Sequence, residues 1–295
     1  MVSGLIKRYG AVAAVDGLDF SIEAGKLTSI LGANGAGKTT TLEIMEGLRT
    51  ADAGEIRILG MTPKEARSIT GVQLQEGTLY EDLSCLETLR FFGRMYGCMV
   101  DGAGLLSMVG LEQKGHLRAN QLSGGQKRRL QMAIALVNDP EVVILDEPTT
   151  GLDPVTRRET WNLISRLKED GRTVVLTTHY IDEAEALSDW VIIVDRGKVV
   201  TQGTPASLVR AGGNTAHVEL DVRDPAMVQR LVSLASGRQE GDRFVADTAD
   251  PAGMVRTLAE LVPPEIMASL RIRSRSLEDV FLETAGYQLE AQVPE

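Results

Sequence analysis

The chain has 295 residues, of which 43% are hydrophobic and 24% are charged, a composition that fills one or two domain cores and excludes extensive disorder and fibrous classes. Lys and Arg total 31 against 41 Asp and Glu, so the formal net charge is −10, which argues against a nucleic-acid partner. The sequence has no apolar run near the roughly 20 residues of a membrane span, no visible secretory signal, and only Cys85 and Cys98 as cysteines, so we expect a protein of the reducing cytosol.

Short β-prone runs alternate with helical stretches up to about residue 212, which predicts an α/β domain with a largely parallel sheet. The predicted strands in this part of the chain are residues 26–31, 141–145, 172–177 and 190–195. The predicted helices are residues 39–48, 83–108, 126–137, 157–169 and 181–187. The strands are short and apolar, which indicates that they are buried.

A glycine-rich loop joins the strand at 26–31 to the helix at 39–48 and reads Gly32-Ala33-Asn34-Gly35-Ala36-Gly37-Lys38-Thr39. It matches the phosphate-binding pattern G-x-x-x-x-G-K-[ST] at every fixed position. The glycines let successive N–H groups point at phosphate oxygens, and the helix adds its positive end. We expect Lys38 to reach the β- and γ-phosphates and Thr39 to bind Mg²⁺. A chance glycine-rich turn is the alternative, but the flanking strand and helix favour a nucleotide site.

A second helix start of the same kind lies further along the chain, at Leu122-Ser123-Gly124-Gly125-Gln126. A Ser-Gly-Gly turn that leads into a helix is also suited to binding an anion. One nucleotide does not need both the glycine-rich loop and the Ser-Gly-Gly turn from the same chain. We therefore expect a site that is shared between two copies of the protein.

Two acids, Asp146 and Glu147, follow the apolar strand at 141–145. The carboxyl ends of parallel strands are where such sheets place their ligands, so we expect Asp146 to support Mg²⁺ and Glu147 to polarise the attacking water. An ordinary acidic strand end is the alternative. His179 follows the strand at 172–177 in the same way, and we expect it to contact the γ-phosphate or the water, although a lone histidine is more often structural. His116 and His217 have no such context and are taken as incidental.

A separate small α+β domain is predicted for the end of the chain, which gives domains at residues 1–212 and 213–295. Glycines near residue 212 suggest a hinge, and no lysine follows Lys198. The predicted strands are residues 217–222 and 269–273, and the predicted helices are residues 226–234, 254–261 and 277–285. Ser276 and Asp279 have the spacing of a capping box at the start of the last helix.

This ordered set of motifs resembles the ATP-binding cassette (ABC) family over about residues 3–210. The loop at 32–39 corresponds to the Walker A motif, residues 122–126 to the signature motif and residues 142–147 to Walker B with its catalytic glutamate. The remaining matches are Gln75 in the Q-loop, Asp153 in the D-loop, His179 as the switch histidine and Tyr9 as the aromatic residue on which adenine stacks.

The resemblance implies a P-loop cassette that has a mostly parallel core sheet, an N-terminal antiparallel β-subdomain and a helical signature subdomain. It implies ATP and Mg²⁺ as ligands, a head-to-tail homodimer of cassettes, and a membrane permease on a separate chain. The protein would then work as a peripheral subunit at the cytoplasmic face of the cell membrane. The first strand is short for the family, which predicts a weakened N-terminal subdomain or an incomplete start.

The resemblance also assigns roles to individual residues. The ATP-binding residues would be Tyr9, Gly32, Ala33, Asn34, Gly35, Ala36, Gly37, Lys38, Thr39 and Thr40. The catalytic residues would be Glu147, His179 and Gln75, and the magnesium ligands would be Thr39, Gln75 and Asp146. The signature residues that act in trans would be Ser123, Gly124, Gly125 and Gln126.

A shorter stretch, residues 276–282, is similar to the end of ATPase subunits of the daunorubicin-resistance type. That similarity implies an exporter of drugs, antibiotics or other hydrophobic compounds. The alternative is an ordinary amphipathic helix in which Leu277, Val280 and Phe281 form an apolar stripe.

The alternatives to a transport ATPase are a soluble cassette that acts on DNA or ribosomes and a small-molecule P-loop kinase. A cassette that acts on DNA would carry long coiled-coil arms, but Thr39 and Ser123 are only 123 − 39 = 84 residues apart with no heptad pattern between them. Ribosome-acting members usually carry two cassettes, and the acidic balance argues against nucleic acid in either case. A small-molecule P-loop kinase does not need the signature motif.

Overall fold

The computed structural model describes residues 1–74, 79–211, 213 and 216–284. The chain divides into two compact units, Met1–Pro205 and Ala206–Glu295. The sequence predicts the division at residue 212, after the helix Pro205–Ala211, whereas the structure divides the chain near the start of that helix.

The elements of the first unit are as follows. Its strands are β1 (Val2–Tyr9), β2 (Val12–Phe20), β3 (Leu27–Leu31), β4 (Ala53–Ile56), β5 (Thr70–Gln73), β6 (Val142–Asp146), β7 (Thr173–Thr178), β8 (Trp190–Asp195) and β9 (Lys198–Gly203). Its helices are α1 (Lys38–Met45), α2 (Cys85–Tyr96), α3 (Gly102–Met108), α4 (Gly124–Ala135), α5 (Pro154–Glu169) and α6 (Ile181–Leu187). Three short 3₁₀ turns are Glu65–Ile69, Glu112–Lys114 and Ala119–Gln121.

The second unit contains the following elements. Its helices are α7 (Pro205–Ala211), α8 (Pro225–Leu234), α9 (Pro251–Leu261), α10 (Pro264–Met267) and α11 (Leu277–Thr284). Its strands are β10 (Ala216–Asp221), β11 (Arg238–Glu240), β12 (Arg243–Thr248) and β13 (Arg271–Ser274).

A six-stranded sheet forms the centre of the first unit, in the order β5-β6-β7-β3-β8-β9. Its neighbours are parallel except for β9, which is antiparallel to β8. Every residue of β3, β6 and β7 is buried, as expected for apolar strands covered on both faces. The predicted α/β fold with a largely parallel sheet is confirmed.

The register of this sheet brings the functional strand ends together. Asp146 at the end of β6 pairs with Thr177 of β7, and Leu31 at the end of β3 pairs with Thr178. The glycine loop that leaves β3, the two acids after β6 and His179 after β7 therefore emerge at one edge of the sheet. This is the edge at which open α/β sheets bind ligands.

A three-stranded antiparallel sheet, in the order β2-β1-β4, forms the predicted N-terminal subdomain. β1 pairs on both of its edges, with β2 and with β4. Leu5, Val15 and Leu18 are fully buried beneath it, and burial of such side chains contributes about 1.5–3 kcal/mol each. The first strand is thus paired on both sides and carries part of the core, while the expected weakening of the subdomain stays a prediction.

The stretch at 83–108, predicted to be helical, contains two separate helices. α2 begins at a capping box in which Ser84 and Glu87 hydrogen bond to each other's backbone N–H. It ends at Gly97, whose φ of 70° is left-handed and favours glycine at a helix C-terminus. α3 then starts at a new N-cap, Asp101, whose side chain accepts from the N–H of Gly104.

The second unit is built on a four-stranded antiparallel sheet, in the order β11-β12-β10-β13. Its core includes the fully buried Val218, Leu220 and Phe244. His217 belongs to this unit, is only 8% exposed, and has its Nδ1 2.8 Å from Asp247 Oδ1. Among the residues described here, no helix is both long enough and apolar enough to cross a lipid bilayer.

Candidate functional site

The glycine loop after β3 is packed so closely that side chains are excluded at two of its positions. A Cβ on Gly32 would lie 2.4 Å from the carbonyl oxygen of Val194, and one on Gly37 would lie 2.3 Å from that of Ala14. Gly37 also has a φ of 102°, which disfavours any residue with a side chain. These two glycines let the loop turn tightly into the N-terminus of α1, where its N–H groups can bind an anion.

Lys38, the first residue of α1, is almost entirely buried at 4% exposure. Its Nζ donates to the carbonyl oxygens of Gly32 at 2.9 Å and Ala33 at 3.1 Å, and lies 3.5 Å from Glu147 Oε1. Burial lowers the pKa of the Lys38 ammonium, while the carboxylates of Glu147 and Asp146 act in the opposite direction. The structure thus holds a cation against the loop that the sequence assigned to phosphate.

Glu147 lies between Lys38 and His179. Its Oε2 lies 3.3 Å from Nδ1 of His179 and accepts from Thr150 Oγ1 at 3.0 Å. Burial opposes ionisation of Glu147, but Lys38, Thr150 and His179 outweigh it and lower the pKa of the carboxyl. An ionised, partly desolvated carboxylate is suited to accept a proton from water.

Asp146 has the opposite electrostatic environment. Burial raises its pKa, with a further contribution from Glu147, against hydrogen bonds from Thr177 and Thr39 that favour the ionised form. The hydroxyl of Thr39 and the carboxylate of Asp146 therefore meet, and both are hard oxygen ligands of the kind that Mg²⁺ takes beside phosphate oxygens. No cluster of three acidic, His or Cys ligands occurs within the described part of the chain.

These side chains line one cavity of about 550 Å³, a volume within the range of small-molecule sites. The lining residues are Ala14, Asn34, Gly35, Gly37, Lys38, Thr39, Thr40, Glu147, Thr150 and His179. The sequence-predicted loop, catalytic glutamate and switch histidine thus meet in one place. The cavity is polar and basic on one side and acidic on the other.

Other predicted site residues lie elsewhere. Tyr9 is 42% exposed and its ring lies 5.3 Å from the guanidinium of Arg49, a cation–π contact, and it is not among the residues that line the cavity. Asp153 caps α5 by accepting from the N–H groups of Val155 and Thr156. Gln75, predicted as a catalytic residue and a magnesium ligand, lies outside the described residues.

The signature turn forms the N-terminus of α4. Ser123 and Gln126 form a reciprocal capping box, with Gln126 N donating to Ser123 Oγ at 3.3 Å and Ser123 N donating to Gln126 Oε1 at 3.0 Å. A Cβ on Gly125 would lie 2.6 Å from Cγ2 of Thr156, so only glycine fits there. These residues do not line the cavity formed by the glycine loop of the same chain.

Several residues around the site were missed by sequence reasoning. Thr177 donates to Asp146 and accepts from the N–H of Glu147 at 3.1 Å, and its position in the strand beside β6 could have indicated this contact. Arg128 donates to carbonyl oxygens of the predicted catalytic glutamate and its two neighbours. α4 and β6 follow one another in the chain, but no residue pattern shows that the Arg128 side chain turns back to the end of β6.

Comparison with known sequences gives consistent matches. The family model described as ABC transporter matches residues 15–150. A Nod factor export ATP-binding protein I of Ralstonia nicotianae is 38% identical over an alignment that covers 98% of this chain and 94% of that protein. A protein of the same name from Burkholderia lata is 36% identical, and the alignment covers 96% of each chain.

Solved structures of ABC transporter cassettes are also similar to this chain. A structure described as the ATP-binding subunit of an ABC transporter has a TM-score of 0.64 at 28% identity, and the match covers 72% of this chain and 92% of that one. The dimeric bacterial ABC transporter cassette MJ0796 has a TM-score of 0.63 at 29% identity over 69% of this chain and 97% of that one. The same cassette has also been solved in a post-hydrolysis state bound to ADP and Pi.

Proposed function

The chain belongs to the ABC transporter family as an ATPase that uses Mg-ATP, and from that premise we propose that it powers export through a separate membrane permease. The observation that carries the catalytic part is the meeting of Lys38, Glu147 and His179 in one cavity of about 550 Å³. Residues that line a pocket and have shifted pKa values mark a functional site.

In this proposal each residue of the site has its own role in ATP hydrolysis. Lys38 and the N–H groups of the glycine loop bind the phosphates, because both present positive charge to them. Glu147 accepts the proton of the attacking water, and His179, 3.3 Å from its carboxylate, orients the water or the γ-phosphate. Thr39 and Asp146 would hold Mg²⁺, which would neutralise charge on the phosphate oxygens.

A second copy of the chain completes the ATP site in this proposal. The signature residues lie outside the cavity of their own chain, and α4 offers a capped helix N-terminus that can take a phosphate. The MJ0796 cassette, to which the first unit is similar, is described as dimeric. We therefore assign Ser123, Gly124, Gly125 and Gln126 to the nucleotide bound by the partner copy.

The permease would bind an apolar surface on the helical part of the first unit. This surface consists of the exposed side chains of Leu74, Tyr80, Phe91, Met95 and Tyr96. Tyr80 and Phe91 pack edge to face with their ring centroids 5.1 Å apart. Exposed aromatic and Met side chains are enriched at protein interfaces, and binding there would hold the protein at the cytoplasmic face of the membrane.

Export is proposed on the names of the relatives, which are described as Nod factor export ATP-binding proteins. The proposal that the substrate is a drug, an antibiotic or another hydrophobic compound rests only on the similarity of residues 276–282. A soluble ABC ATPase that acts on ribosomes or DNA is the second candidate, and the net charge of −10 disfavours it.

The decisive test is Glu147→Gln. The variant keeps the shape of the site but removes the proton acceptor, so we expect ATP binding to persist and turnover to fall by about 10²–10⁴-fold. Phosphate release measures turnover, and size-exclusion chromatography with ATP should show a stable dimer.

Glu141→Gln is the matched control, because Glu141 is exposed at the opposite end of the same strand. The control should keep wild-type turnover. Wild-type turnover in Glu147→Gln would remove Glu147 from the role of base and contradict the proposed mechanism.

A further inference from the structure

Arg128 is a buried cation on the helix that carries the signature turn. It lies in the second turn of α4 and is only 9% exposed. Burial lowers the pKa of its guanidinium, but Asp146, Glu147 and Glu183 act against that shift, and an arginine side chain stays charged in proteins. A buried charge is costly unless it is fully hydrogen bonded, so its partners indicate what it is for.

The partners of Arg128 are the backbone carbonyls at the end of β6. Its Nε donates to the carbonyl oxygen of Pro148 at 3.0 Å, and one NH₂ group donates to that of Asp146 at 3.1 Å and to that of Glu147. Three successive carbonyls are thus held by one guanidinium. Its other NH₂ group donates to the carbonyl oxygen of Leu74 at 3.3 Å, the last described residue before Gln75.

The backbone that Arg128 binds is strained. Glu147 has a φ of 46°, a left-handed conformation that a residue with a side chain adopts only when its surroundings impose it. On its amide side the peptide is fixed by the hydrogen bond from Glu147 N to Thr177 Oγ1, and on its carbonyl side by Arg128. These two contacts direct the Glu147 carboxylate towards Lys38 and His179.

We propose that Arg128 is a positioning residue for ATP hydrolysis, which holds the catalytic Glu147 in its working conformation and ties it to the helix that begins with the signature turn. The proposal rests on the role of Glu147 given above. Arg128 does not line the ATP cavity, so its effect passes through the backbone. Because α4 would contact the nucleotide of the partner copy, the same guanidinium joins the two ATP sites of a dimer.

The test is Arg128→Lys, which keeps the charge but replaces a planar fork of five donors with one ammonium. One ammonium cannot hold all of these carbonyls at once. We expect kcat for ATP hydrolysis to fall at least tenfold, while KM for ATP and the Kd of the nucleotide change less than twofold. Unchanged kcat in the folded variant would overturn the proposal.

Arg129→Lys is the matched control, because it makes the same change at the next residue of the helix. The guanidinium of Arg129 pairs with Glu159 at 3.3 Å and lies outside the ATP cavity. We expect its kcat and KM to stay within twofold of the wild type. An equal loss of kcat in both variants would show a general effect on α4 and would contradict a specific role for Arg128.

A background that lacks the catalytic carboxylate separates this proposal from the proposed function. In Glu147→Gln, adding Arg128→Lys should lower the residual rate less than twofold, because there is no longer a base to position. A further tenfold loss would mean that Arg128 acts through another group. If Glu147→Gln itself retains full turnover, the proposed function fails instead, whatever Arg128 does.

Arg128→Gln covers the case in which the lysine variant does not fold. Its neutral amide can donate to two of the carbonyls, and folding is checked by circular dichroism. The amide has only two N–H donors on a side chain shorter than arginine's, so kcat should again fall at least tenfold. A folded glutamine variant with wild-type kcat would overturn the proposal.

Discussion

The surroundings of two neighbouring carboxyl groups, Asp146 and Glu147, shift their pKa values in opposite directions. Burial raises the pKa of Asp146, whereas Lys38, Thr150 and His179 lower the pKa of Glu147 in spite of burial. Groups of the same type that are separated in this way take different roles in acid–base chemistry. The proposed roles, a metal-supporting acid for Asp146 and a base for Glu147, are consistent with these different surroundings.

Glu46, at the end of α1, is a third buried acid. It is 7% exposed, and neither carboxyl oxygen has a hydrogen-bond partner among the described residues. Burial, with smaller contributions from Asp146 and Glu43, raises its pKa from 4.5 to about 8. The folded protein therefore keeps this proton over a pH range in which the unfolded chain has lost it.

This difference predicts how stability changes with pH. Between pH 4.5 and about 8 the unfolded state binds fewer protons than the folded state, so the free energy of unfolding falls as pH rises, by up to about 1.4 kcal/mol per pH unit from this group. The contribution is fully present below the lower value and is lost above the higher one. Glu46→Gln removes it, so its stability should depend less on pH.

Urea unfolding of both proteins at pH 5, 7 and 9 measures the effect. The glutamine variant should gain stability relative to the wild type as pH rises. A difference between the two proteins that is constant across this range would show that Glu46 does not titrate in that window.

At the scale of elements, Glu183 joins α6 to two other parts of the first unit. Its Oε1 accepts from Thr149 Oγ1 at 2.8 Å, in the loop after β6, and from Trp161 Nε1 at 2.9 Å, on α5. Glu183 is fully buried, and burial raises the pKa of its carboxyl. Removing one buried acceptor thus leaves two donors unpaired.

Glu183→Ala should therefore destabilise the protein by about 2 kcal/mol or more, since each buried donor left without a partner costs about 1–3 kcal/mol. Glu183→Gln keeps a carbonyl oxygen that can accept both hydrogen bonds, so it should cost less. Denaturant unfolding measures both, with Glu185→Ala on the exposed face of the same helix as the control. Equal stability of Glu183→Ala and the control would show that this junction does not support the fold.

The elements also show where sequence reasoning succeeds and where it fails. The glycine loop, the strand that ends in Asp146 and the strand before His179 are predictable, because short apolar runs that end in polar residues define strand ends locally. The break between α2 and α3 was missed, because apolar spacing continues across Gly97 although its left-handed φ ends the helix. The contact of Arg128 with Pro148 depends on how α4 packs beside β5, and no local residue pattern shows that packing.

At the scale of the whole molecule, a head-to-tail dimer makes a prediction for mixtures of inactive variants. Lys38→Ala disables the phosphate loop, and Ser123→Arg blocks the signature turn, so neither variant alone has an intact site. A mixed dimer has one site with both defects and one site with neither. Random mixing should therefore recover about a quarter of wild-type turnover if the two sites work independently.

Phosphate release from each variant and from their equal mixture measures this recovery. Mixing wild type with Lys38→Ala at the same total concentration calibrates the effect of subunit exchange. A mixture that is no more active than its components would contradict the assignment of the signature turn to the partner's nucleotide.

The second unit, Ala206–Glu295, has a consequence for labelling experiments. No lysine follows Lys198 in the sequence, and the ion pairs of this unit, such as Arg273 with Asp279, use arginine. Amine-reactive dyes will therefore attach only to the first unit. A protease that cleaves after lysine will leave residues 199–295 uncut, a fragment that contains the whole second unit together with most of β9, so the second unit can be followed in a digest without a new cleavage site.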